Sequence, residues 1–236
     1  MVEKCIISTF EKEMNGRVRK FWVQVLPDDQ KDKTIDYFCK YFIRDEPLSK
    51  SLKLVEDEES MKFIVHFWRN ILEQNKTLAC FTELDNGQKE LVAANLCYQT
   101  SITEELMKKK EGIPEAMKQV LDTLHYLNNK SKDLLEGLGI REYLGAVGLV
   151  TIPGYRGFNI GLEVLKARKF LCGELGLNAS ITTFTGPASQ RLAEKVGFKD
   201  LVSITYDDLE KLEPSFKYPN INEYSKCIRH MYNLYE

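Results

Sequence analysis

Apolar residues recur along the chain at two spacings, and each spacing predicts a different kind of element. Residues 17–26 alternate apolar and polar positions, as a half-buried strand does. Residues 35–43 carry apolar side chains at i, i+3, i+4, i+7 and i+8, which form one face of an amphipathic helix. A second helix is predicted to begin at the solvated acidic run 56–59 and to continue to Leu72.

The rest of the chain alternates between strand and helix patterns. Strands at 78–84 and 90–98 flank Asp85-Asn86-Gly87, which is a strong hairpin signal. A helical insertion is predicted at about 103–139, with its pattern broken at 128–132. The remaining predictions are strands at 141–151, 179–185, 198–206 and 227–234, and helices at 160–175, closed by Gly176, and at 188–196.

This order of elements predicts an α/β fold with a mixed sheet covered by helices on both faces. The chain shows no repeat, no low-complexity segment and no break in composition. We therefore expect residues 1–236 to form a single domain that contains the helical insertion.

Composition narrows the classes of function. The formal net charge is −2, which disfavours a general nucleic-acid or membrane-surface binder. No signal peptide or membrane-spanning run is evident, so we expect a cytoplasmic protein. We also expect the protein to act as a monomer. His66, beside the apolar stripe of the second helix, is predicted to be packed. Neither a metal site nor a disulfide framework is expected, because the cysteines are scattered at Cys5, Cys39, Cys80, Cys97, Cys172 and Cys227.

One stretch carries a recognisable device for binding an anion. Residues 145–161 read GAVGLVTIPGYRGFNIG, which is a buried strand followed by a glycine-containing loop and the start of a helix. The first amides of a helix have no partner inside it, and the helix dipole places partial positive charge there. Arg156 adds a full positive charge, so the sequence predicts a phosphate-bearing cofactor at this loop.

The same loop resembles the acetyl-CoA loop of the GCN5-related N-acetyltransferases, which is usually written [QR]-x-x-G-x-[GA]. Arg156 and Gly161 match the two ends of this motif. Asn159 stands where the middle glycine normally does, and asparagine tolerates unusual backbone angles better than most residues.

Two further stretches resemble one family in that superfamily, the insect-type arylalkylamine N-acetyltransferases. Residues 41–48, YFIRDEPL, are similar to its F-x-x-D-E-P-L signature. Residues 182–198 are similar to the second half of the same family. The resemblance spans about residues 17–210 and places three motifs in the expected order.

The resemblance implies a fold in which two parallel strands splay apart around acetyl-CoA. The strand walls would end at Thr151 and Phe184. The main chain of Leu149, Val150 and Thr151 would bind the pantetheine arm. The pyrophosphate would be held by the amides of Arg156, Gly157, Phe158, Asn159, Ile160 and Gly161, with Ser189 also near the cofactor.

The family resemblance also implies a mechanism of direct transfer. Glu46 would be the base that removes a proton from the amine. An alternative reading is that Glu46 caps a neighbouring segment or pairs with Arg44. A backbone N–H near Leu149 or Val150 would stabilise the oxyanion.

The proton donor is not fixed by the sequence. Many relatives in the superfamily carry a tyrosine that acts as the general acid at the position where this chain has Ala193. Ser189 and Thr185 match hydroxyl positions assigned to proton handling or substrate binding in the insect-type enzymes, although Ser189 is equally well read as an ordinary helix-start residue.

The acceptor implied by the resemblance is an arylalkylamine of the dopamine, serotonin, tyramine and tryptamine class. Polyamine or agmatine acetylation, transfer of a longer acyl chain, and a noncatalytic acyl-CoA-binding domain remain as alternatives. The aromatic candidates to line the acceptor pocket are Tyr41, Phe42, Trp68, Phe184 and Tyr206.

Overall fold

The computed structural model describes residues 6–104 and 112–235. Part of the predicted insertion, residues 105–111, and Cys5 lie outside these ranges. The strands are β1 (Ile6–Met14), β2 (Arg17–Val25), β3 (Leu78–Glu83), β4 (Lys89–Ser101), β5 (Glu142–Thr151), β6 (Ala179–Phe184), β7 (Lys199–Thr205) and β8 (Cys227–Leu234). The helices are α1 (Lys31–Tyr37), α2 (Ile43–Asp45), α3 (Pro47–Ser51), α4 (Glu58–Glu73), α5 (Glu115–Gly137), α6 (Ile160–Lys166), α7 (Arg168–Glu174), α8 (Pro187–Lys195) and α9 (Tyr206–Leu212). A π-helical turn, Phe38–Phe42, joins α1 to α2, and 3₁₀ turns lie at Asp28–Gln30, Leu54–Glu56, Pro153–Tyr155, Pro214–Phe216 and Ile221–Glu223.

The described strands form one mixed sheet in the order β1-β2-β3-β4-β5-β6-β8-β7. Within it, β5 and β6 are the parallel neighbours, and the other pairs are antiparallel. The parallel pairing covers Leu144 with Ser180 and Gly145 with Ile181, although β5 continues to Thr151. The two strands therefore part beyond Gly145, which confirms the expected mixed sheet with splayed parallel strands.

Helices pack on both faces of this sheet, as alternation along β3 shows. Cys80 belongs to an apolar cluster with Val164 of α6. Its neighbour Phe81 belongs to a second cluster with Trp68 of α4. Successive side chains of a strand point to opposite faces, so α6 and α4 cover opposite sides of the sheet.

The helix that follows the acidic run begins at a well-formed cap. Asp57 accepts hydrogen bonds from the backbone amides of Glu59 and Ser60 at 3.1 and 3.3 Å. Trp68 is buried together with Ile64, Ile71 and Leu72 of the predicted stripe, which confirms this helix. The prediction that His66 is packed is wrong, because its side chain is exposed and contacts Asn70 on the next turn.

The observed elements differ from the predicted ones in three respects. The predicted break at 128–132 is wrong, since α5 continues to Gly137 with Ser131 buried; asparagine and lysine weaken a helix only mildly. The predicted helix 160–175 is two helices that meet at Ala167. The pattern also does not predict β1 or α9, although β1 pairs along most of β2.

Three further observations concern the described ranges. Their five cysteines form no disulfide. No three His, Cys, Asp or Glu residues within 6–104 and 112–235 are grouped so that they could hold a metal ion. None of the helices in these ranges combines the length and apolarity needed to cross a membrane.

Candidate active site

The gap between β5 and β6 opens into a cavity of about 920 Å³. Residues 147–151 of β5 form one wall and residues 181–184 of β6 form the other. The loop after β5 and the start of α8 border one part of the cavity, and α3, α4 and α5 border another. The cavity therefore joins the two regions that the sequence motifs assign to donor and acceptor.

Beyond Gly145, one edge of the β5 wall pairs with no strand in the described part of the chain. One edge of the strand pairs with β4, where Leu149 lies opposite Asn95 and Val150 opposite Ala94. The other edge pairs with β6 only as far as Gly145. Beyond this point the edge can pair with an extended ligand, as an open strand edge does.

The loop after β5 holds two residues in the left-handed backbone region. Gly157 has φ 86°, and Asn159, which precedes α6, has φ 59°. Asparagine is one of the few residues with a side chain that visits this region readily, so Asn159 preserves the backbone geometry of a glycine there. At Gly161 a Cβ would lie 3.1 Å from Leu149 Cδ2, which explains why a glycine lies in the first turn of α6 beside β5.

Arg156 connects this loop with the acceptor signature. Its Nε donates to the Thr151 carbonyl at 2.9 Å, and its Nη2 lies 2.7 Å from Asp45 Oδ2. Both charged side chains remain about half exposed. Two more cations that the sequence motifs did not single out, Arg191 and Lys195 of α8, line the cavity and form no ion pair within the described part of the chain. Their i, i+4 spacing on a helix was the signal that could have indicated a shared face.

Glu46 is the N-cap of α3. Its carboxylate accepts hydrogen bonds from the amides of Leu48 and Ser49 at 3.1 and 2.7 Å and from Ser49 Oγ at 2.6 Å. Pro47 follows at the first helical position, and Glu46 itself is extended, with ψ 124°. The capping alternative is therefore correct as a description of these contacts, whereas no ion pair with Arg44 forms among the described residues. A carboxylate has about four acceptor sites, so capping leaves capacity for a ligand.

The loop that starts α8 packs directly against this cap. A Cβ at Gly186 would lie 3.2 Å from Pro47 Cγ, so the two segments are in close contact. Ser189 donates its hydroxyl to the Gly186 carbonyl at 2.9 Å, and Tyr206 donates to the Thr185 carbonyl at 3.1 Å. Thr185 and Ser189 therefore lie in the same cavity as Glu46.

The aromatic candidates divide into two groups. Phe42, Trp68 and Phe184 line the cavity. Phe42 also packs so tightly on β5 that a Cβ at Gly148 would lie 2.8 Å from its Cζ. Tyr41 instead packs beside Tyr37 and is not part of the lining.

Two other sequence candidates also lie outside the lining. Tyr206 is buried beneath it. The side chain of Phe158 packs into the core, which leaves only its main chain for the loop.

A histidine that the sequence motifs did not single out lies against the cavity. His230 of β8 is 3% exposed, and its Nδ1 is 2.8 Å from Thr183 Oγ1. Burial lowers the pKa of His230 to about 4, so the ring is neutral. Its Nε2 is buried without a hydrogen-bond partner among the described residues. The strand pattern could place His230 on β8 but not beside Thr183.

An open mixed sheet with two diverging parallel strands, followed by a glycine-containing loop at a helix start, defines the fold of the GCN5-related N-acetyltransferases. Scans against family models and against curated protein sequences returned no match. Among solved structures, a protein of the yellow fever mosquito Aedes aegypti called arylalkylamine N-acetyltransferase 7 is 30% identical, with a TM-score of 0.89 over 99% of this chain and 98% of that chain.

More distant structures share the fold. Arylalkylamine N-acetyltransferase 2 of Aedes aegypti is 18% identical, with a TM-score of 0.74 over 92% of this chain and 99% of that one. A Drosophila melanogaster polyamine N-acetyltransferase that forms N-acetylagmatine is 15% identical, with a TM-score of 0.69 over 91% and 99%. The chain belongs to the insect-type arylalkylamine N-acetyltransferases, a family of the GCN5-related superfamily.

Proposed function

We propose that this protein transfers the acetyl group of acetyl-CoA to the primary amine of an arylalkylamine, such as dopamine, serotonin, tyramine or tryptamine. One observation carries the proposal. A carboxylate, Glu46, and a strand edge without a strand partner among the described residues, Leu149 to Thr151, line the same cavity. The donor and the acceptor amine could thus meet in one ternary complex.

The donor side fits acetyl-CoA in shape and charge. The open edge of β5 can hydrogen-bond the amides of the pantetheine arm as a neighbouring strand would. The loop amides from Arg156 to Gly161 suit the pyrophosphate, because Gly157 and Asn159 hold the backbone in the left-handed turns of a phosphate-binding loop. Arg191 and Lys195 add positive charge for the phosphates at the α8 side.

On the acceptor side, Glu46 would accept the proton of the alkylammonium and attract its charge. The neutral amine would then attack the thioester carbonyl. A backbone N–H near Leu149 or Val150 would stabilise the oxyanion. The hydroxyls of Ser189 and Thr185 would help to handle the proton or bind the substrate.

The lining favours an aromatic amine over a polyamine. Beyond Glu46 the acceptor walls are largely apolar, and His230 is neutral. A second cationic group, as in agmatine or a polyamine, would be costly to bury without its own carboxylate. The lining carboxylates besides Glu46 are Asp45, which bonds Arg156, and Glu223, whose side chain is exposed at the rim and so does not offset the cost of a buried second cation. The walls that would contact an aromatic ring contain Ile64, Phe67, Trp68, Met117, Val120, Leu121 and Leu124.

A panel of amines tests the proposal. Purified protein is incubated with acetyl-CoA and dopamine, serotonin, tryptamine, agmatine or spermidine, and released thiol is measured; butyryl- and palmitoyl-CoA are run in parallel, and CoA binding is measured separately by calorimetry. We expect turnover with the arylalkylamines at kcat/KM at least tenfold above that with agmatine and spermidine. Preference for a polyamine or a long acyl chain would overturn the substrate assignment, and CoA binding without turnover on any amine would overturn the enzymatic one.

A further inference from the structure

A buried arginine lies where β5 and β6 separate. Arg168, the first residue of α7, is 1% exposed and contributes to the cavity lining. Its Nε donates to Asn95 Oδ1 at 2.8 Å, and its Nη1 donates to Ser180 Oγ at 3.2 Å and Thr182 Oγ1 at 2.7 Å. The guanidinium thus joins β4 to β6 across the base of the gap.

The same contacts reach β5 through the asparagine. Asn95 Nδ2 donates to the Gly148 carbonyl at 2.6 Å, and Ser180 Oγ donates to the Leu144 carbonyl at 3.0 Å. Arg168 therefore fixes the relative positions of the walls at the closed end of the gap. These links meet β5 at Leu144 and Gly148. A pantetheine arm that runs along β5 from the loop after Thr151 would point its thioester end towards this closed end of the gap.

The charge of Arg168 has no counter-charge in its surroundings. No described carboxylate lies within ion-pair distance of it, and its hydrogen-bond acceptors are neutral. The titratable neighbours are Cys97 and Tyr98 of β4, Cys172 of α7 and Tyr235 after β8. Burial raises the pKa of each of them, so they stay neutral as well. Arginine remains protonated in such surroundings, and a buried unpaired charge is costly unless an anion compensates it.

The reaction proposed above generates such an anion. Attack of the amine nitrogen on the carbonyl carbon breaks the C–S bond, and the bonding electron pair stays on sulfur as CoA thiolate. Ala193 occupies the position at which many members of the superfamily carry a tyrosine that acts as the general acid. Its side chain is fully buried and has no proton to give to the thiolate. The Arg168 guanidinium lies 5.9 Å from the ring of Phe198, which packs in the same apolar cluster as Ala193.

We propose that Arg168 stabilises the departing CoA thiolate by its positive charge, in place of a proton donor, while its hydrogen bonds position the walls of the gap. The alkylammonium loses two protons, one before the attack and one from the nitrogen after the N–C bond has formed; each passes to Glu46 and then to water, and the thiolate takes its proton from solvent after release. In a site shielded from water, a fixed cation stabilises developing negative charge far more than it would in solution. This inference rests on the proposed use of acetyl-CoA.

The wild-type protein bound to CoA provides the first test. The thiol of bound CoA is titrated by the ultraviolet absorbance of its thiolate, and the affinity for CoA is compared with that for desulfo-CoA across the same pH range. We expect the bound thiol to ionise at least one pH unit below free CoA, which is a tenfold preference for thiolate. Failure to bind CoA would overturn the proposed function itself, whereas CoA binding with an unshifted or raised thiol pKa would overturn only the role of Arg168.

Two variants separate charge from structure. Arg168→Met should abolish the shift of the thiol pKa and lower kcat at least tenfold, with the KM for acetyl-CoA changed less than threefold. Arg168→Lys keeps the charge and should retain part of the shift and of the activity. Arg69→Met, which removes an exposed arginine paired with Asp32, is the matched control. It should leave the thiol pKa shift and kcat unchanged.

If Arg168→Lys and Arg168→Met lose the thiol pKa shift and kcat to the same extent, and in proportion to their loss of thermal stability, the role of Arg168 is purely structural. If Arg168→Met does not fold, the titration of the wild-type protein and of Arg168→Lys still decides the question.

Discussion

Arg156 and Asp45 join the donor loop to the acceptor signature through an ion pair of 2.7 Å. The two residues are 111 positions apart in sequence, and each belongs to a different family motif. Asp45 directly precedes Glu46, so the loop that would contact phosphate and the segment that carries the candidate base are mechanically linked. Because both side chains are about half exposed, the pair itself contributes little to stability.

Removal of this aspartate should release the arginine for the donor. We expect Asp45→Asn to tighten acetyl-CoA binding by roughly two- to fivefold at low salt, because a negative charge near a polyanion is lost. Arg156→Gln should weaken binding by roughly tenfold. Calorimetry at two salt concentrations measures both changes. Asp32→Asn, which breaks a similar exposed pair with Arg69, is the control, and weaker binding by Asp45→Asn would contradict the prediction.

Replacement of Glu46 should reduce the activity of the protein far more than its stability. Glu46→Ala is expected to reduce kcat/KM by roughly 10²-fold or more through loss of the base. Loss of the cap of α3 should cost only about 1 kcal/mol. The measurements are steady-state kinetics and urea denaturation.

The chain contains a matched control for this cap. Asp57 caps α4 with the same contacts, including a bond from Ser60 Oγ at 2.6 Å, but lies outside the cavity. Asp57→Ala should lower thermal stability and leave kcat/KM unchanged. An equal loss of activity in both variants would assign Glu46 a structural role only.

Asn159 should be replaceable by glycine but not by alanine. Asn159→Gly keeps access to the left-handed backbone and should bind acetyl-CoA with nearly unchanged Kd. Asn159→Ala forces a Cβ into this region without the polar side chain, at a cost of about 1 kcal/mol, and should raise Kd several-fold. Asn75→Ala, at φ 55° and away from the cavity, should show the strain without the change in Kd. Similar Kd values for the glycine and alanine variants would contradict this.

His230 should make folding sensitive to mild acid. Its folded pKa of about 4 lies below the value of about 6.5 in the unfolded chain, so the unfolded state binds the proton more readily. Stability is therefore complete above about pH 6.5 and falls as the pH drops towards 4, by up to about 3 kcal/mol. Urea denaturation across this range should show a flatter pH dependence for His230→Leu. His66→Gln, at an exposed site, should keep the wild-type dependence, and an unaltered profile in His230→Leu would be contrary to expectation.

The sequence by itself determined the elements with strong periodicity and the three motifs. The strand from 142 to 151, the hairpin around Asp85-Asn86-Gly87 and the stripe of α4 depend on neighbours within a few residues, so a local pattern suffices to predict them. The family resemblance likewise follows from short, contiguous motifs. The hydrophobic pattern does not predict β1, because this strand is stabilised by its pairing with β2.

Only the tertiary structure decided which side chains meet. In the structure, Asp45 pairs with Arg156 and Tyr41 packs outside the cavity. His230 lies beside Thr183, and Arg168 lies at the base of the gap. These contacts depend on strand register and on helix packing between segments far apart in the chain, which no local spacing contains. In the sequence, the arginine of α7 cannot be distinguished from any other basic residue. Its burial without a counter-charge follows only from the packing of α7 against β4 and β6.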